Sequence, residues 1–331
     1  MEKNCAYSRS DLACECIETK RGGLREYERY GFRCTELTIR AGGEEKIYKN
    51  SAGRYVTMSP GRLWLWDDRR AARFTDALAD EITDFFEAAS KQKISESSSV
   101  LVCGLGNRFI TSDALGPQTL DKLTVTRHAV GCGGILDSLG CSRISAIVPG
   151  TLGQTGMEAL TIIKGGIAEV KPDALIVIDA LCARSLDRLA ATVQISDSGI
   201  RPGSGIGNSR REITGKTAGV PVISIGIPTV VDSSTLVYDA LERAGIGEFS
   251  DEVRAVLDGG RDFFVAPKEC DMIIDRVSSM LSEAIEKPSG CEPSSIFRPL
   301  RKYLSIKRYV HARRARRDVY ASENSVWGRH I

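Results

Sequence analysis

The chain has 331 residues, of which 42% are hydrophobic and 27% are charged. This balance is ordinary for a soluble globular protein, and the length is enough to bury a large core. No apolar run approaches the roughly 18 residues that span a bilayer, and the N-terminus lacks the apolar segment of a secretory signal. We therefore expect a cytoplasmic protein whose ten scattered cysteines are reduced thiols.

The net charge of +2 conceals an uneven distribution. Residues 289–331 contain 10 Lys or Arg and 3 Asp or Glu, whereas the other 288 residues contain 35 and 40. The sequence thus predicts an acidic body followed by a basic C-terminal tail. Because Lys and Arg gain free energy from counterion release on nucleic acids, DNA contact through the tail is one hypothesis, and an extension without function is the other.

The N-terminal part of the chain is β-prone. Residues 20–60 are charged and punctuated by glycine, with β-prone pieces at 34–40 and 54–58, and residues 67–89 form an amphipathic helical pattern. We interpret residues 12–95 as a smaller β-rich flap with one helix that packs on a core.

From residue 99 onward, short β-branched runs alternate with longer amphipathic stretches. Strands are predicted at 100–103, 144–148, 175–178 and 222–225, and helices at 114–123, 156–170, 233–244, 251–257 and 268–286. Compact apolar strands that alternate with helices are typical of a doubly wound α/β fold, with a mostly parallel sheet flanked by helices. We assign this core to residues 96–288.

The first core strand runs into a glycine loop, GLGNRFITSDALGP, over residues 104–117. A dinucleotide-binding loop would place a third glycine where Phe109 stands, and a P-loop would require Gly-Lys-Ser/Thr. Both nucleotide sites are therefore disfavoured, and an anion site stays a minor alternative. Gly104, Gly106 and Asn107 instead lead to a carboxylate, Asp113.

Asp179 follows the apolar run at 175–178, so both aspartates are predicted at the carboxyl edge of the sheet. Burial and a neighbouring carboxylate raise carboxyl pKa values, so that one member of such a pair is a base and the other an acid. An ionised aspartate could then activate water while its protonated partner polarises a carbonyl group, as in aspartic peptidases. The alternative is that Asp113 and Asp179 only cap the helix and turn that follow them.

Other features could frame or change this site. Loop 195–208, with Asp197, and the strand end at Asp232 are predicted to border the crevice, although the loop could simply form turns and Asp232 could cap a helix. Histidine occurs only at 128, 311 and 330, so metal-assisted hydrolysis by Asp113, Asp179 and His128 stays an alternative. We expect no cofactor and assign no metal ligand, while a divalent cation is left open.

Several long motifs resemble the spore germination protease family. They are GLGN, TSDALGP, VTRH at 125–128, SAIVPGTLGQTGME at 145–158, the stretch 177–208 that begins VIDAL, and SIGIPTVVD at 224–232. The likeness runs in unbroken order over roughly residues 8–287. It implies an atypical aspartic endopeptidase that degrades small acid-soluble spore proteins during germination, with Asp113 and Asp179 as its catalytic residues.

The resemblance also implies a zymogen. Residues 8–15 are similar to the family's processing region, which places self-cleavage between Asp11 and Leu12 and makes residues 1–11 a propeptide. The same stretch is similar to the acidic and apolar motif that the family cuts, so the propeptide could lie across the crevice as a substrate mimic.

The family is further a homotetramer of the forespore, with a fold related to hydrogenase maturation peptidases. That relationship makes a metal-dependent maturation-type peptidase the alternative, and a DNA-associated protein that uses the basic tail is a second one. The tail at 289–331 has no counterpart in the family pattern.

Overall fold

The computed structural model describes most of the chain, and the described residues belong to one compact unit, Met1–Cys291. They are residues 9–15, 23–42, 44–45, 50–128, 130, 141–204, 210–246, 249–259 and 263–289. Residues 1–8 of the expected propeptide, the glycine-rich segment 131–140 and the basic tail from 290 lie outside the described residues. The prediction of DNA contact by the tail therefore stays a prediction.

A single sheet forms the centre of this unit. Its strand order is β1-β2-β3-β7-β8-β6-β4-β5, with β9 paired to β8. The strands in the described part of the chain are β1 Leu24–Arg29, β2 Phe32–Ile39, β3 Gly53–Met58, β4 Ser99–Gly104, β5 Arg143–Ile147, β6 Ala174–Ala183, β7 Val193–Ser196, β8 Val222–Asp232 and β9 Phe264–Val265.

The sheet has a parallel half and an antiparallel half. Strands β5, β4, β6 and β8 run parallel, which confirms the predicted α/β core. Strand β7 joins β8 in the antiparallel sense, and β3 pairs with β7 from Tyr55↔Ser196 to Met58↔Val193. The β-rich N-terminal region therefore extends the core sheet instead of forming a separate flap, because the free edge of β7 offers unpaired backbone groups to β3.

Helices cover both faces of the sheet, as a doubly wound fold requires. They are α1 Asp68–Ser90, α2 Leu115–Lys122, α3 Leu152–Thr155, α4 Ala159–Val170, α5 Gly215–Ala218, α6 Ser233–Arg243, α7 Asp251–Asp258 and α8 Cys270–Glu286. The predicted helix at 156–170 begins later, at Ala159, because Gly156 takes a left-handed conformation that ends α3. In the described residues, no helix combines the length and apolarity that crossing a bilayer demands.

The two faces carry different apolar clusters. Phe74 of α1, Leu115 of α2 and Ile274 of α8 pack with the β-strand residues Val102 and Ile178 on one face. On the other face, α4 and α5 contribute Leu160 and Ala218, which pack with Leu101 and Val177. Successive strand residues point to opposite faces, so each buried strand supplies side chains to both clusters.

The crevice lies where the strand order reverses. Strand β4 has β5 on one side and β6 on the other. The chain therefore passes from β4 to β5 on one side and then crosses over to β6 on the other side. Ligands of open α/β sheets bind outside the carboxyl ends of strands at such a point. The glycine loop follows the carboxyl end of β4, and Asp179 comes directly after Ile178, the last β6 residue that pairs with β4.

Two strands are longer than the sequence predicted. β6 continues to Ala183, and β8 continues to Asp232, because the two strands pair with each other along this extension, from Asp179↔Gly226 to Ala183↔Val231. Asp179 therefore lies inside a strand and not at its end. The predicted loop at 195–208 is also shortened, since residues 195 and 196 belong to β7.

Candidate active site

The glycine loop brings the end of β4 into contact with the start of α2. A β-carbon on Gly104 would lie 2.5 Å from the carbonyl oxygen of Gly116, and one on Gly116 would clash with the carbonyl oxygen of Leu105. These two glycines are required by the close approach of backbone to backbone. The loop therefore serves to pack a helix against a strand end.

The same loop holds Asp113. Gly106 has a φ of +107°, and a β-carbon there would clash with the carbonyl oxygen of Asp113 and lie 3.0 Å from its Oδ1. The backbone N–H of Asn107 donates a hydrogen bond to Asp113 Oδ2 at 2.7 Å. Helix α2 begins after Ala114, without a side-chain cap, so the alternative that Asp113 only caps this helix is wrong.

Asp179 interrupts an apolar stripe on β6. Val177, Asp179 and Leu181 alternate onto the same face, where Val177 and Leu181 belong to two different apolar clusters. The side chain of Asp179 is only 6% exposed, and its Oδ1 accepts a hydrogen bond from the backbone N–H of Ala180 at 3.0 Å. The alternative that Asp179 caps a turn is wrong, since the strand continues past it.

Asp113 and Asp179 line one cavity of about 500 Å³, together with Asp11. Burial raises the pKa of Asp179 well above its usual range, and the negative charges of Asp113 and Asp11 raise it further. Burial also raises the pKa of Asp113, while the hydrogen bond from Asn107 opposes the rise. The cavity therefore contains two carboxyl groups that resist ionisation to different extents.

Residues 9–15 run across the end of β6 and border this cavity. The backbone N–H of Asp11 donates to the carbonyl oxygen of Cys182 at 2.9 Å, and the N–H of Cys182 donates to Asp11 Oδ2 at 2.9 Å. Ser204 Oγ donates to Asp11 Oδ1 at 2.6 Å. Asp11 is thus held by both its main chain and its carboxylate.

The residues after Asp11 are buried. Leu12 is fully buried in a cluster that includes Leu181 and Val231, and Ala13 packs in a separate cluster that includes Tyr55. Leu12 and Ala13 are therefore docked on the body of the protein, because the side chains of a loose segment would not be buried.

Glu15 fastens the far end of the segment. Its Oε2 accepts a hydrogen bond from the backbone N–H of Arg184 at 2.7 Å, and its Oε1 accepts one from Ser185 at 3.1 Å. Ser10 Oγ also donates to this carboxylate, and Arg188 forms an ion pair with it at 3.5 Å. Burial raises the pKa of Glu15, and these hydrogen bonds oppose that rise.

Gln194 contacts the segment on both sides of the bond between Asp11 and Leu12. Its Nε2 donates to the carbonyl oxygen of Asp11 at 3.2 Å, and its Oε1 accepts from the N–H of Ala13 at 2.8 Å. Gln194 lies on β7 and is 8% exposed.

The other predicted site residues lie elsewhere. Asp232 is the N-cap of α6, where its Oδ1 accepts from the backbone N–H of Thr235 at 2.8 Å, and its Oδ2 forms an ion pair with Arg9 at 3.7 Å. Asp197 is exposed, and its Oδ1 accepts from the backbone N–H of Arg54 at 2.7 Å, which holds the residues after β7 against β3. Neither aspartate lines the cavity of Asp113 and Asp179.

The structure does not bring His128 to the aspartate pair. His128 is exposed and is not among the residues that line their cavity. Within the described ranges, no group of three or more His, Cys, Asp or Glu side chains is arranged to hold a metal ion.

Sequence reasoning missed Gln194 and Ser204. One available signal was the alternation of apolar and polar residues over 193–196. Val193 and Ile195 pack in the apolar core on one face of the sheet, whereas Gln194 and Ser196 are buried polar residues. A buried glutamine in a strand needs partners, so it marks a contact that local sequence does not supply. Ser204 lies in the loop 195–208 that the sequence predicted at the crevice, but nothing in the sequence singled out this residue.

Comparison with known proteins gives the family. The germination protease family profile matches residues 13–254. A germination protease of Clostridium acetobutylicum is 36% identical over 332 aligned positions, which cover 90% of this chain and 99% of the relative. This chain belongs to the germination protease family. It is therefore a peptidase.

Other germination proteases are similar over different lengths. The germination protease of Priestia megaterium is 43% identical over 219 positions, covering 66% of this chain and 58% of the relative, and that of Clostridium tetani is 32% identical over 90% of this chain and 99% of the relative. Among solved structures, the [NiFe] hydrogenase maturation protease HycI of Thermococcus kodakarensis matches 62% of this chain and 98% of its own, with 15% identity and a TM-score of 0.33.

Proposed function

We propose that this germination protease family member is an aspartic-type endopeptidase that is made as a self-processing zymogen. Asp113 and Asp179 are its catalytic residues, and the bond between Asp11 and Leu12 is its own first substrate. The observation that carries the proposal is that Asp11, Asp113 and Asp179 line one cavity, with Asp11 held in it by Cys182 and Ser204.

The two aspartates divide the chemistry according to their surroundings. Asp179 is the more buried and faces the charges of two other carboxylates, so it keeps the proton. Asp113, which accepts the hydrogen bond from Asn107, is the ionised partner and acts as the base. An uneven environment thus provides one acid and one base from the same residue type.

Hydrolysis then follows in two steps. A water molecule loses a proton to Asp113 as its oxygen bonds to the carbonyl carbon of Asp11, and the carbonyl oxygen takes the negative charge. The C–N bond breaks as Asp179 gives its proton to the nitrogen of Leu12, which leaves a carboxyl group on Asp11 and an amine on Leu12. Proton exchange between the two aspartates and solvent restores the starting state.

The way residues 9–15 are held supports recognition of an acidic-then-apolar sequence. Asp11 is bound through its carboxylate, Leu12 is fully enclosed, and Glu15 accepts two backbone N–H groups. A protein substrate with an acidic residue, a large apolar residue and a later glutamate would make the same contacts. We propose small acid-soluble spore proteins as these substrates.

The site of action and the assembly follow from the same assignment. The protein would act in the cytoplasm of the forespore and the spore core during germination, as a homotetramer. The docked segment keeps the crevice occupied until it is cut and released.

Self-cleavage of the purified chain tests the proposal. The wild type is incubated at mildly acidic and at neutral pH, and its N-terminus is determined by mass spectrometry. A new terminus at Leu12 is expected in the wild type and in Gln92→Leu, an exposed surface control. Neither Asp113→Asn nor Asp179→Asn should produce it, and cleavage by either variant at the wild-type rate would disprove the aspartate mechanism.

A further inference from the structure

Gln194 faces Asp179 across one strand of the sheet. Asp179 on β6 pairs with Gly226 on β8, and Gly226 pairs with Gln194 on β7, so the three stand in one row. Their neighbours in sequence, Ile178, Ile225 and Ile195, all pack in the cluster on the opposite face. Asp179 and Gln194 therefore point to the same side of the sheet.

The residue between them has no side chain. A β-carbon on Gly226 would clash with Cδ1 of Leu181, so a larger residue here would have to displace that side chain. Asp11, Asp179, Gln194 and Gly226 border a common cavity of about 690 Å³. The side chain of Leu181 lies over Gly226, between the acid and the amide.

The orientation of the Gln194 amide is determined by its partners. The N–H of Ala13 can only donate, so Oε1 must face it at 2.8 Å, and Nε2 must face the carbonyl oxygen of Asp11 at 3.2 Å. The single side chain of Gln194 thus binds the carbonyl oxygen of Asp11 and the backbone N–H of Ala13. This two-point contact holds the main chain on both sides of Leu12.

We propose that Gln194 is a third catalytic residue, which stabilises the negative charge that develops on the carbonyl oxygen before the cut bond. This inference rests on the proposed function, because it assumes that the Asp11–Leu12 bond is the bond cut. As water adds, the carbonyl oxygen becomes an oxyanion, and the Nε2 donor strengthens its hydrogen bond to it. Gln194 exchanges no atom or proton.

A neutral amide suits this position. Gln194 is 8% exposed, and a buried cation there would require a much larger desolvation than an amide. Because Gln194 stabilises the charge on the carbonyl oxygen of Asp11, the proton of Asp179 stays available for the leaving nitrogen of Leu12. A fixed donor aimed at the developing charge typically contributes about 10²–10³ in rate.

Two substitutions separate catalysis from docking. Gln194→Glu keeps the shape and the acceptor for the N–H of Ala13 but cannot donate when ionised, whereas Gln194→Leu removes both groups. Gln92→Leu is the matched control, because it makes the same change at an exposed glutamine. The first-order rate constant of self-cleavage is measured for each full-length chain, and hydrogen exchange of the peptides covering residues 9–15 reports docking.

We expect self-cleavage to slow by about 10²-fold or more in Gln194→Glu while residues 9–15 stay protected from exchange. Gln194→Leu should be at least as slow, and Gln92→Leu should match the wild type. Rate constants within threefold of the wild type in both Gln194 variants would overturn the inference, as would a slowing of Gln194→Glu that only parallels lost protection. If Asp113→Asn or Asp179→Asn still cuts normally, the aspartate mechanism fails instead. If the wild type is never cut, both the aspartate mechanism and the role of Gln194 are disproved.

Discussion

Asp179 and Gln194 stand in the same row of the sheet, on the two strands that flank β8, and both face the crevice. Gly226 separates them, and the side chain of Leu181 lies over this glycine. In our proposal, this row of the sheet provides two of the three catalytic groups, a carboxyl group from β6 and an amide from β7. The glycine loop adds the second carboxyl group, Asp113, from above the end of β4.

Gly106→Ala should inactivate the protein through Asp113. A methyl group there would clash with the carbonyl oxygen of Asp113 and crowd its Oδ1, and φ at +107° is unfavourable for alanine. We expect self-cleavage to slow by about 10²-fold or more, because a displacement of about 1 Å in a catalytic group has that effect.

Gly165→Ala is the control for this substitution. Gly165 lies inside α4, and a β-carbon there would meet nothing within 4 Å. This variant should cut normally and gain about 0.5–1 kcal/mol in the free energy of unfolding, measured by urea denaturation. Normal cleavage by Gly106→Ala would show that the loop does not position Asp113.

Asp179→Asn should stabilise the fold at neutral pH. The folded-state pKa of Asp179 is raised above its unfolded value, so the folded state binds more protons and stability falls as pH rises between the two values. Asparagine removes this cost, and we expect a gain of about 0.5–2 kcal/mol at pH 7.5, typical of relieving a functional position.

The gain should shrink as the pH is lowered towards the unfolded pKa of an aspartate, about 3.9, where Asp179 is protonated in both states. Urea denaturation at several pH values measures it. Asp197→Asn, the same change at an exposed carboxylate, is the matched control. An Asp179→Asn variant that is less stable than the wild type at pH 7.5 would contradict the assigned desolvation.

Glu15 should hold the N-terminal segment more strongly than its ion-pair partner does. Glu15 accepts two backbone N–H groups, and such charge-assisted bonds contribute about 1.5–3 kcal/mol each. The side chain of Arg188 is 33% exposed, so its pair with Glu15 contributes about 0–1 kcal/mol.

Trypsin cleavage after Arg9 measures the released fraction, since the protease needs an accessible, extended chain. In an Asp179→Asn background, which cannot cut itself, Glu15→Gln should accelerate this cleavage by about tenfold or more. Arg188→Gln should accelerate it by less than about fivefold. Equal acceleration by the two variants would mean that the backbone contacts do not dominate.

Leu12→Ala should release the same segment by a different route. Leu12 is fully buried among Leu181, Leu189 and Val231, and truncation of a buried leucine removes about 2–5 kcal/mol of packing. Hydrogen exchange of the amide of Ala13 should accelerate at least about tenfold. Leu65→Ala, at a 64% exposed leucine, should leave that amide unchanged; equal protection in all three proteins would rule out an apolar anchor at Leu12.

Local sequence was informative where local physics decides the structure. The compact apolar runs that became β4, β5, β6 and β8 predicted a parallel α/β core, because strands buried on both faces need continuous apolar residues. The same reasoning predicted Asp113 and Asp179 at the carboxyl edge of the sheet. It misplaced the ends of β6 and β8, since those residues are kept in strands by pairing with each other and not by their own preference.

The sequence by itself determined the fold class, the pair of aspartates worth testing and, through long motifs such as TSDALGP, the family likeness. Only the tertiary structure decided that β3 pairs with β7, that residues 9–15 lie across β6, and that Gln194 shares a row with Asp179. The reason is that strand register and segment docking join residues far apart in the chain. Their free energy comes from backbone pairing and burial between distant partners, and no short window of residues contains both.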